Sequence, residues 1–236
     1  MSRLASTIRM EGRLQFRYGF VYAALFTGVM WLSILLPIPS SGRPAAGPLV
    51  LFADIAIVGF FFIAGSVFFE KGQRTLFALV MTPLRFGEYL GAKLATLTAL
   101  SLVIAFLVLI PAHGLEFNVG VAAVGIILTT LLFLLVSFVS TAPFASITDW
   151  LMPGGLVLLF MSLPLIHYAG LWTNPVFYLH PTHGSLILFG AAFGTLTPSP
   201  WEFVYSVAYP VAWIVGLGLV SRRVFDTYIV AGRGGS

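Results

Sequence analysis

Residues 119–139 read VGVAAVGIILTTLLFLLVSFV, a stretch without a single charged side chain. A helix needs roughly 20 apolar residues to cross the hydrocarbon core of a bilayer, so this stretch predicts a transmembrane helix. Other stretches approach that length, at about residues 18–37, 48–69, 86–110, 153–169 and 203–220. Within a bilayer, an open-ended chain can satisfy its backbone polar groups only as helices. The sequence therefore predicts an all-α, polytopic membrane protein with six transmembrane helices.

The composition leaves little sequence for anything else. Hydrophobic residues make up 59% of the chain and charged residues only 8%, against about 25% charged residues in an ordinary soluble domain. We therefore expect residues 1–236 to form a single transmembrane domain, without a second, soluble one. The chain has no cysteine, which excludes disulfides, thiolate chemistry and sulfur-ligated metals.

Basic residues give the orientation of the spans. The formal net charge of +4 could suggest nucleic-acid binding, but nearly all Lys and Arg lie beside apolar stretches, where they report topology. We therefore expect no nucleic-acid partner. From the basic clusters we expect a cell-membrane protein with both termini and the second connection in the cytoplasm. Alternation of the spans places residues 140–152 there as well, although the only charged residue of that connection is Asp149. The clustered residues are Arg3, Arg9, Arg13 and Arg17, then Lys71, Arg74, Arg85 and Lys93, and finally Arg222, Arg223 and Arg233.

The segment before the first span has helical periodicity. On a helix, Arg9, Arg13 and Arg17 share one face. The opposite face would carry Leu4, Thr7, Ile8, Glu11 and Leu14. This pattern favours an amphipathic helix on the inner leaflet, with its arginines at anionic headgroups and its other face in the acyl boundary. The alternative is an ordinary basic flank, which needs no helix.

The fifth connection contains a short apolar insertion before the last span. Residues 185–196 lie between Pro181 and Pro198 and are too few to cross a bilayer. The insertion therefore predicts a re-entrant or interfacial segment, with two short helices entering from outside.

Motifs for chemistry are few. The chain has no G-x-x-x-x-G-K-[ST] phosphate loop, no H-E-x-x-H and no G-x-S-x-G, so we expect no enzyme and no catalytic residue. His180 and His183 have an i,i+3 spacing that could hold a metal. However, neither Cys nor a carboxylate lies nearby, and we interpret them as loop or interface histidines, with no metal bound.

Ionisable residues inside membrane spans are costly and are by default functional candidates. Asp54 and Glu88 meet that description loosely. Asp54 could line a substrate path, although snorkelling near a helix end explains it equally simply.

The second connection and its flanks, residues 69–93, read FEKGQRTLFALVMTPLRFGEYLGAK. Residues 75–81 are apolar on every side, and Pro83 disfavours helix at Thr82. Such a short helix can lie among headgroups or insert into a groove on a partner. The residues alone leave these alternatives open.

This segment resembles the permeases of the type-two ABC exporter superfamily. In that superfamily the second span ends in a glutamate and basic residues, followed by a Thr-Leu pair, a Thr-Pro-Leu turn, and a Glu and a Lys that enter the third span. The matching residues are Glu70, Lys71, Arg74, Thr75, Leu76, Thr82, Pro83, Leu84, Glu88 and Lys93, with Asn174-Pro175 and Pro181-Thr182 later. Residues 54–62 and 143–150 are similar to the fluoroquinolone-export permeases of small drug-efflux ABC systems.

The resemblance implies a transport subunit. Two permease chains, identical or paired with a sister chain, would form the path for a small-molecule substrate in the lipid bilayer. Separate ATPase subunits would hold ATP and magnesium, so this chain would need no cofactor. Residues 70–85 would act as a coupling helix, with Leu79 and Val80 beside Leu76 on its apolar face. Drug export is the favoured function, and the alternatives are a heme- or lipid-exporting permease or, less favoured, a membrane enzyme.

Overall fold

The computed structural model describes residues 3–73 and 85–227, with side chains from residue 5 onward. In these ranges every regular element is a helix, as predicted. The elements are α1 (Arg3–Arg17), α2 (Phe20–Leu35), α3 (Arg43–Gly72), α4 (Phe86–His113), α5 (Val119–Thr141), α6 (Ile147–Met161), α7 (Pro164–Tyr168), a 3-10 helix (Pro175–Leu179), α8 (His183–Ala192) and α9 (Pro200–Phe225).

Within residues 3–73 and 85–227, five helices are long and apolar enough to cross a membrane: α3, α4, α5, α9, and α6 taken together with α7. The first predicted span is shorter than expected. Its helix α2 has 16 residues and a length of about 24 Å at 1.5 Å per residue. It counts as a sixth span only together with α1, to which it is bent by 63°. The architecture is that of a polytopic membrane protein.

Helix α3 lies at the centre of the bundle. Its most apolar window is 78% buried, whereas that of α9 is only 11% buried. Phe52 and Phe60 of α3 are fully buried with Phe133 of α5 in the main hydrophobic cluster. The Ser137 hydroxyl of α5 donates a hydrogen bond to the Phe60 carbonyl at 2.5 Å. The interior is therefore built around α3, and α9 remains at the periphery.

The turn between α1 and α2 is made by Gly19, whose φ of 82° lies in the left-handed region that glycine adopts without strain. The predicted arginine face of α1 is exposed at Arg9, Arg13 and Arg17. The opposite face was expected in the acyl boundary, and this expectation was wrong. Thr7, Glu11 and Gln15 on this side are buried, and Glu11 and Gln15 form hydrogen bonds with Lys93 and Thr96 of α4.

Helix α6 begins before the predicted boundary at Pro153. Ser146 caps its first turn by accepting a hydrogen bond from the Asp149 amide at 3.2 Å, and Pro153 lies inside the helix. The buried Trp150 side chain lies on Gly154 and stacks on Phe60, with ring centroids 5.4 Å apart. Gly154 therefore provides space for an indole within the helix.

The fifth connection enters the bundle. Pro164 cannot donate a backbone hydrogen bond, and the helix breaks between α6 and α7. Carbonyls freed near this break are recovered by the insertion, because Thr182 donates to Met161 O at 2.7 Å and His180 contacts Phe160 O at 3.0 Å. The two predicted short helices are the 3-10 helix and α8. Residues 183–190 are all buried, which favours the re-entrant alternative over the interfacial one.

Candidate functional site

A buried charge cluster lies where α3 ends and α4 begins. The Lys93 ammonium donates to Glu70 Oε1 at 2.6 Å, to Ser66 Oγ at 2.6 Å and to Glu11 Oε2 at 3.2 Å. The Tyr89 hydroxyl donates to the second oxygen of Glu70 at 2.5 Å. An ammonium has three donor protons, so Lys93 is fully used. We call these five residues the Lys93 cluster.

Helical spacing brings the cluster together. Ser66 and Glu70 are one turn apart on α3, and Tyr89 and Lys93 are one turn apart on α4, so each pair shares a face. Glu11 enters from α1. Further polar contacts hold the same helices, because Gln15 Nε2 donates to Thr96 Oγ1 at 2.8 Å and Tyr18 OH donates to Gln73 Oε1 at 3.2 Å. The cluster therefore joins α1, α3 and α4.

The cluster is closed to solvent. Lys93 is 0% exposed, and Glu11 and Glu70 are each 3% exposed. Moving charges out of water is expensive, and the mutual attraction of the pair roughly offsets that cost only when the hydrogen bonds are complete. The net gain in stability is therefore small, but removing one partner leaves an uncompensated buried charge. A displacement of α1 or α3 relative to Lys93 would carry the same penalty, so the cluster fixes their register.

Lys71 makes a second connection at this end of the bundle. Its ammonium lies 3.0, 3.1 and 2.7 Å from the backbone carbonyls of Thr141, Ala142 and Phe144. These carbonyls end α5, where a positive charge complements the helix dipole. The last turn of α3 is therefore attached to the connection between α5 and α6.

An open groove of about 1,070 Å³ lies beside the cluster, between the first turns of α4 and the last turns of α9. Gly87 and Gly91 of α4 and Gly218 of α9 line it, and a Cβ atom at any of these positions would meet none of the described neighbours within 4 Å. Arg85, Glu88, Arg222 and Asp226 are also in its lining. This end of the protein thus carries paired charges inside and side chains of both signs along an open surface.

The predicted coupling residues are only partly described. Arg74, Thr75, Leu76, Leu79, Val80, Thr82, Pro83 and Leu84 lie outside the described residues. Of the flanks, Glu70 is buried in the Lys93 cluster and Lys71 is attached to the end of α5. Glu88 accepts the Arg85 backbone N–H at 3.0 Å and so caps the first turn of α4. The described flanks are anchoring positions and not a free surface.

The buried position of Asp54 is explained by a hydrogen bond between helices. It is 5% exposed, and its Oδ1 accepts a hydrogen bond from Trp31 Nε1 of α2 at 2.9 Å. Its assignment to a substrate path stays a prediction.

The two histidines of the i,i+3 pair differ from each other. His180 contacts the Phe160 carbonyl, whereas neither ring nitrogen of the buried His183 has a hydrogen-bond partner among the described residues.

Sequence reasoning missed the assembly of the cluster. Lys93 was interpreted as a basic flank of the second connection, and Glu11, Ser66 and Tyr89 were not identified as site residues. A signal was present, since Lys93 lies eight residues into the helix that begins at Phe86, and an ionisable residue at that depth is a functional candidate. The pairing itself depends on how α1 folds back, which periodicity does not reveal.

Comparison with known proteins agrees with the sequence resemblance. The model of the fluoroquinolones export permease protein family matches residues 2–233. The fluoroquinolones export permease proteins of Mycobacterium tuberculosis strains CDC 1551 / Oshkosh and ATCC 25618 / H37Rv are each 50% identical to this chain over 231 residues, covering 98% of this chain and 98% of each relative. The chain therefore belongs to the fluoroquinolones export permease protein family.

Proposed function

We propose that this protein is the membrane permease subunit of an ATP-driven ABC exporter for drugs or other amphipathic small molecules of the fluoroquinolone type. The observation that carries the proposal is the match over nearly the whole chain to relatives named as fluoroquinolones export permeases. The helical bundle, with five or six apolar spans among the described residues, is suited to that role.

In this proposal the energy comes from a separate ATPase subunit. The chain has no phosphate-binding loop, so ATP and magnesium would bind to the partner. A second permease chain, of the same or a sister type, would complete the path. Residues 70–85 would dock in a groove of the ATPase, with Leu76, Leu79 and Val80 forming the apolar contact.

The Lys93 cluster and Lys71 would transmit the movement. A push on residues 70–85 would reach α3 and α4 at Glu70 and Lys93, α1 at Glu11, and the end of α5 at Lys71. Because the buried charges cannot separate without a large penalty, these helices would move as one unit.

We place the protein in the cell membrane, with both termini and residues 70–85 on the cytoplasmic side. The described basic residues support this orientation, since Arg9, Arg13, Arg17, Lys71, Arg85, Lys93, Arg222 and Arg223 belong to the end that carries the Lys93 cluster. Arg43 is at the other end, where it donates to the carbonyls of Leu36, Ile38 and Ala112. This asymmetry is typical of the positive-inside rule.

The test is co-expression of the chain with its ATPase subunit, followed by co-purification and measurement of norfloxacin efflux. Leu76→Asp should abolish both, because the charge would be buried without a partner. Leu171→Asp is the matched control, since Leu171 is 80% exposed at the opposite end, and it should retain both. Normal assembly and efflux in Leu76→Asp would exclude this segment from coupling.

A second arm tests transmission separately from docking. Glu70→Gln should keep the ATPase bound, because the side chain is buried in the permease, but drug should stimulate ATP hydrolysis less than in the parent protein. If Glu70→Gln instead releases the ATPase, Glu70 belongs to the docking surface and the transmission role is wrong.

A further inference from the structure

A second site lies at the opposite end of the bundle, in a cavity of about 290 Å³ around His183. Among its lining residues are His167, Tyr168, Tyr178, His183, Ile187 and Glu202, and we call it the His183 pocket. Its volume is at the lower limit of small-molecule pockets, roughly 300–1,000 Å³, and far exceeds the space of one water. It can therefore hold one ring system with a polar group.

His183 is the unusual member of this pocket. Its side chain is 3% exposed, and neither ring nitrogen has a hydrogen-bond partner in the described part of the chain. Burial, followed by the nearby His167 and His180 side chains, lowers the pKa of His183 to about 4. At neutral pH the imidazole is therefore uncharged, with one nitrogen that can donate and one that can accept. Buried polar groups are normally satisfied. Neither nitrogen of His183 is exposed in this orientation of the ring, so a ligand in the pocket can supply the missing partner only after the ring turns toward the cavity.

The other polar groups of the pocket are already held in place. Glu202 accepts the Tyr178 hydroxyl at 2.7 Å on one oxygen, and the Ser199 hydroxyl at 2.7 Å and amide at 2.8 Å on the other. Tyr205 OH in turn donates to the Tyr178 carbonyl at 2.6 Å. The carboxylate is thus fixed at the start of α9, where it gives the pocket a negative side.

Aromatic rings surround the free imidazole. The Tyr178 ring lies 4.7 Å from the His183 ring and the His167 ring 4.9 Å, both in edge-on geometry. The described lining of the pocket contains Glu202 but no Lys or Arg. An anion would therefore meet a carboxylate without any compensating charge, whereas a cation would meet the carboxylate among aromatic rings, which attract positive charge at their faces.

We propose that the His183 pocket binds a protonated amine carried on an aromatic ring, with the positive charge facing Glu202 and an ammonium N–H donated to a nitrogen of His183 once that ring has turned toward the cavity. As a substrate site it rests on the proposed function, but the binding itself needs only this chain. A permease that binds such amines without exporting drug would leave the pocket established and the transport proposal refuted.

The test uses the purified full-length protein and isothermal titration calorimetry. The probe is 1-phenylpiperazine, which carries an ammonium at neutral pH. The comparison compound is 4-phenylmorpholine, which has nearly the same shape with an oxygen in place of the ammonium, and benzoate serves as the anion. We expect the ammonium compound to bind at least tenfold more tightly than the morpholine, and benzoate not to bind. Equal affinity for the first two compounds, or tighter binding of benzoate, would overturn the assignment.

Variants locate the site. His183→Leu should weaken 1-phenylpiperazine binding at least tenfold, and His183→Gln, which keeps a donor and an acceptor, should lose less. His113→Leu is the matched control, because His113 is a histidine in a different cavity, and its affinity should equal that of the parent protein. Unchanged binding in His183→Leu, or an equal loss in His113→Leu, contradicts the proposal.

Folding is checked by gel filtration and thermal unfolding of each variant. If His183→Leu does not fold, Glu202→Gln gives an independent reading. Its amide oxygen can still accept from Tyr178, but the charge is gone, so the preference for the ammonium over the morpholine should fall severalfold. An unchanged preference in Glu202→Gln would overturn the role of the carboxylate.

Discussion

The two ends of the bundle treat buried polar groups differently. At the Lys93 end, the ammonium has three oxygen partners within 3.2 Å. At the His183 end, both nitrogens of one imidazole and the hydroxyl of Ser185 lack partners among the described residues, and a cavity lies beside the imidazole. A fully satisfied buried network rigidifies a structure, whereas unpaired buried polar groups carry a cost that a new partner would relieve. We interpret the first end as mechanical and the second as a binding region.

The largest effect should come from breaking the complete network. Lys93→Met removes the only ammonium in the cluster and leaves Glu11 and Glu70 buried together. Loss of one partner of a buried ion pair typically costs about 3–5 kcal/mol. We expect the thermal unfolding midpoint of the purified protein to fall sharply, and α1 to become accessible to protease.

The control variant removes the two buried carboxylates as well as the ammonium, so that the cluster carries no charge. Lys93→Met combined with Glu11→Gln and Glu70→Gln removes all three charges, so much of the lost stability should return. If Lys93→Met alone is as stable as the parent protein, the cluster is not closed to solvent and cannot fix the register of α1.

A smaller effect should follow at the His183 end, where packing dominates. A Cβ atom on Gly184 would lie 2.9 Å from the Cα of Ser206 and 3.0 Å from its carbonyl oxygen, so Gly184→Ala must separate α8 from α9. Overpacking of this kind typically costs about 1–3 kcal/mol. We expect a lower unfolding midpoint and weakened 1-phenylpiperazine binding, because Glu202 and His183 lie on the separated helices.

Gly216→Ala in α9 is the matched control. A Cβ atom there would meet nothing within 4 Å, and alanine is the better helix former, so stability should be equal or slightly higher. Equal stability of Gly184→Ala and Gly216→Ala would mean that α8 and α9 are not in contact as closely as described.

The sequence predicts the existence of the spans better than it predicts where each span begins and ends. Uncharged runs such as residues 119–139 predict their helices almost to the residue, because a bilayer requires length and apolarity and little else. Boundaries that rest on Pro and Gly are less reliable. A span was predicted to begin at Pro153, but Pro153 and Gly154 lie inside α6, and at position 154 only glycine leaves room for Trp150.

The sites were harder to predict than the spans. Glu70 and Glu88 were identified from the motif of the second connection, but the partners of Glu70 come from distant segments, and Glu11 is 82 residues from Lys93. His183 was identified as part of a pair with His180, although only the fold reveals that His180 is satisfied by the Phe160 carbonyl and that His183 is not. Pattern analysis finds candidate residues, whereas pairing depends on tertiary contacts.

The smallest effect on stability is expected at the exposed face of α1, which can be tested separately from its buried face. Arg9 and Arg13 are exposed, whereas Glu11 is buried against Lys93. Replacing Arg9 and Arg13 by Gln should change the free energy of unfolding by no more than about 0.5 kcal/mol. It should weaken retention of phosphatidylglycerol from mixed vesicles, because each basic residue near an anionic surface contributes about 1 kcal/mol. Glu11→Gln should give the opposite pattern, with lower stability and unchanged lipid retention. If the double arginine variant retains phosphatidylglycerol like the parent protein, the arginines of α1 do not lie at the headgroups, and α1 is held only by its contacts with the Lys93 end.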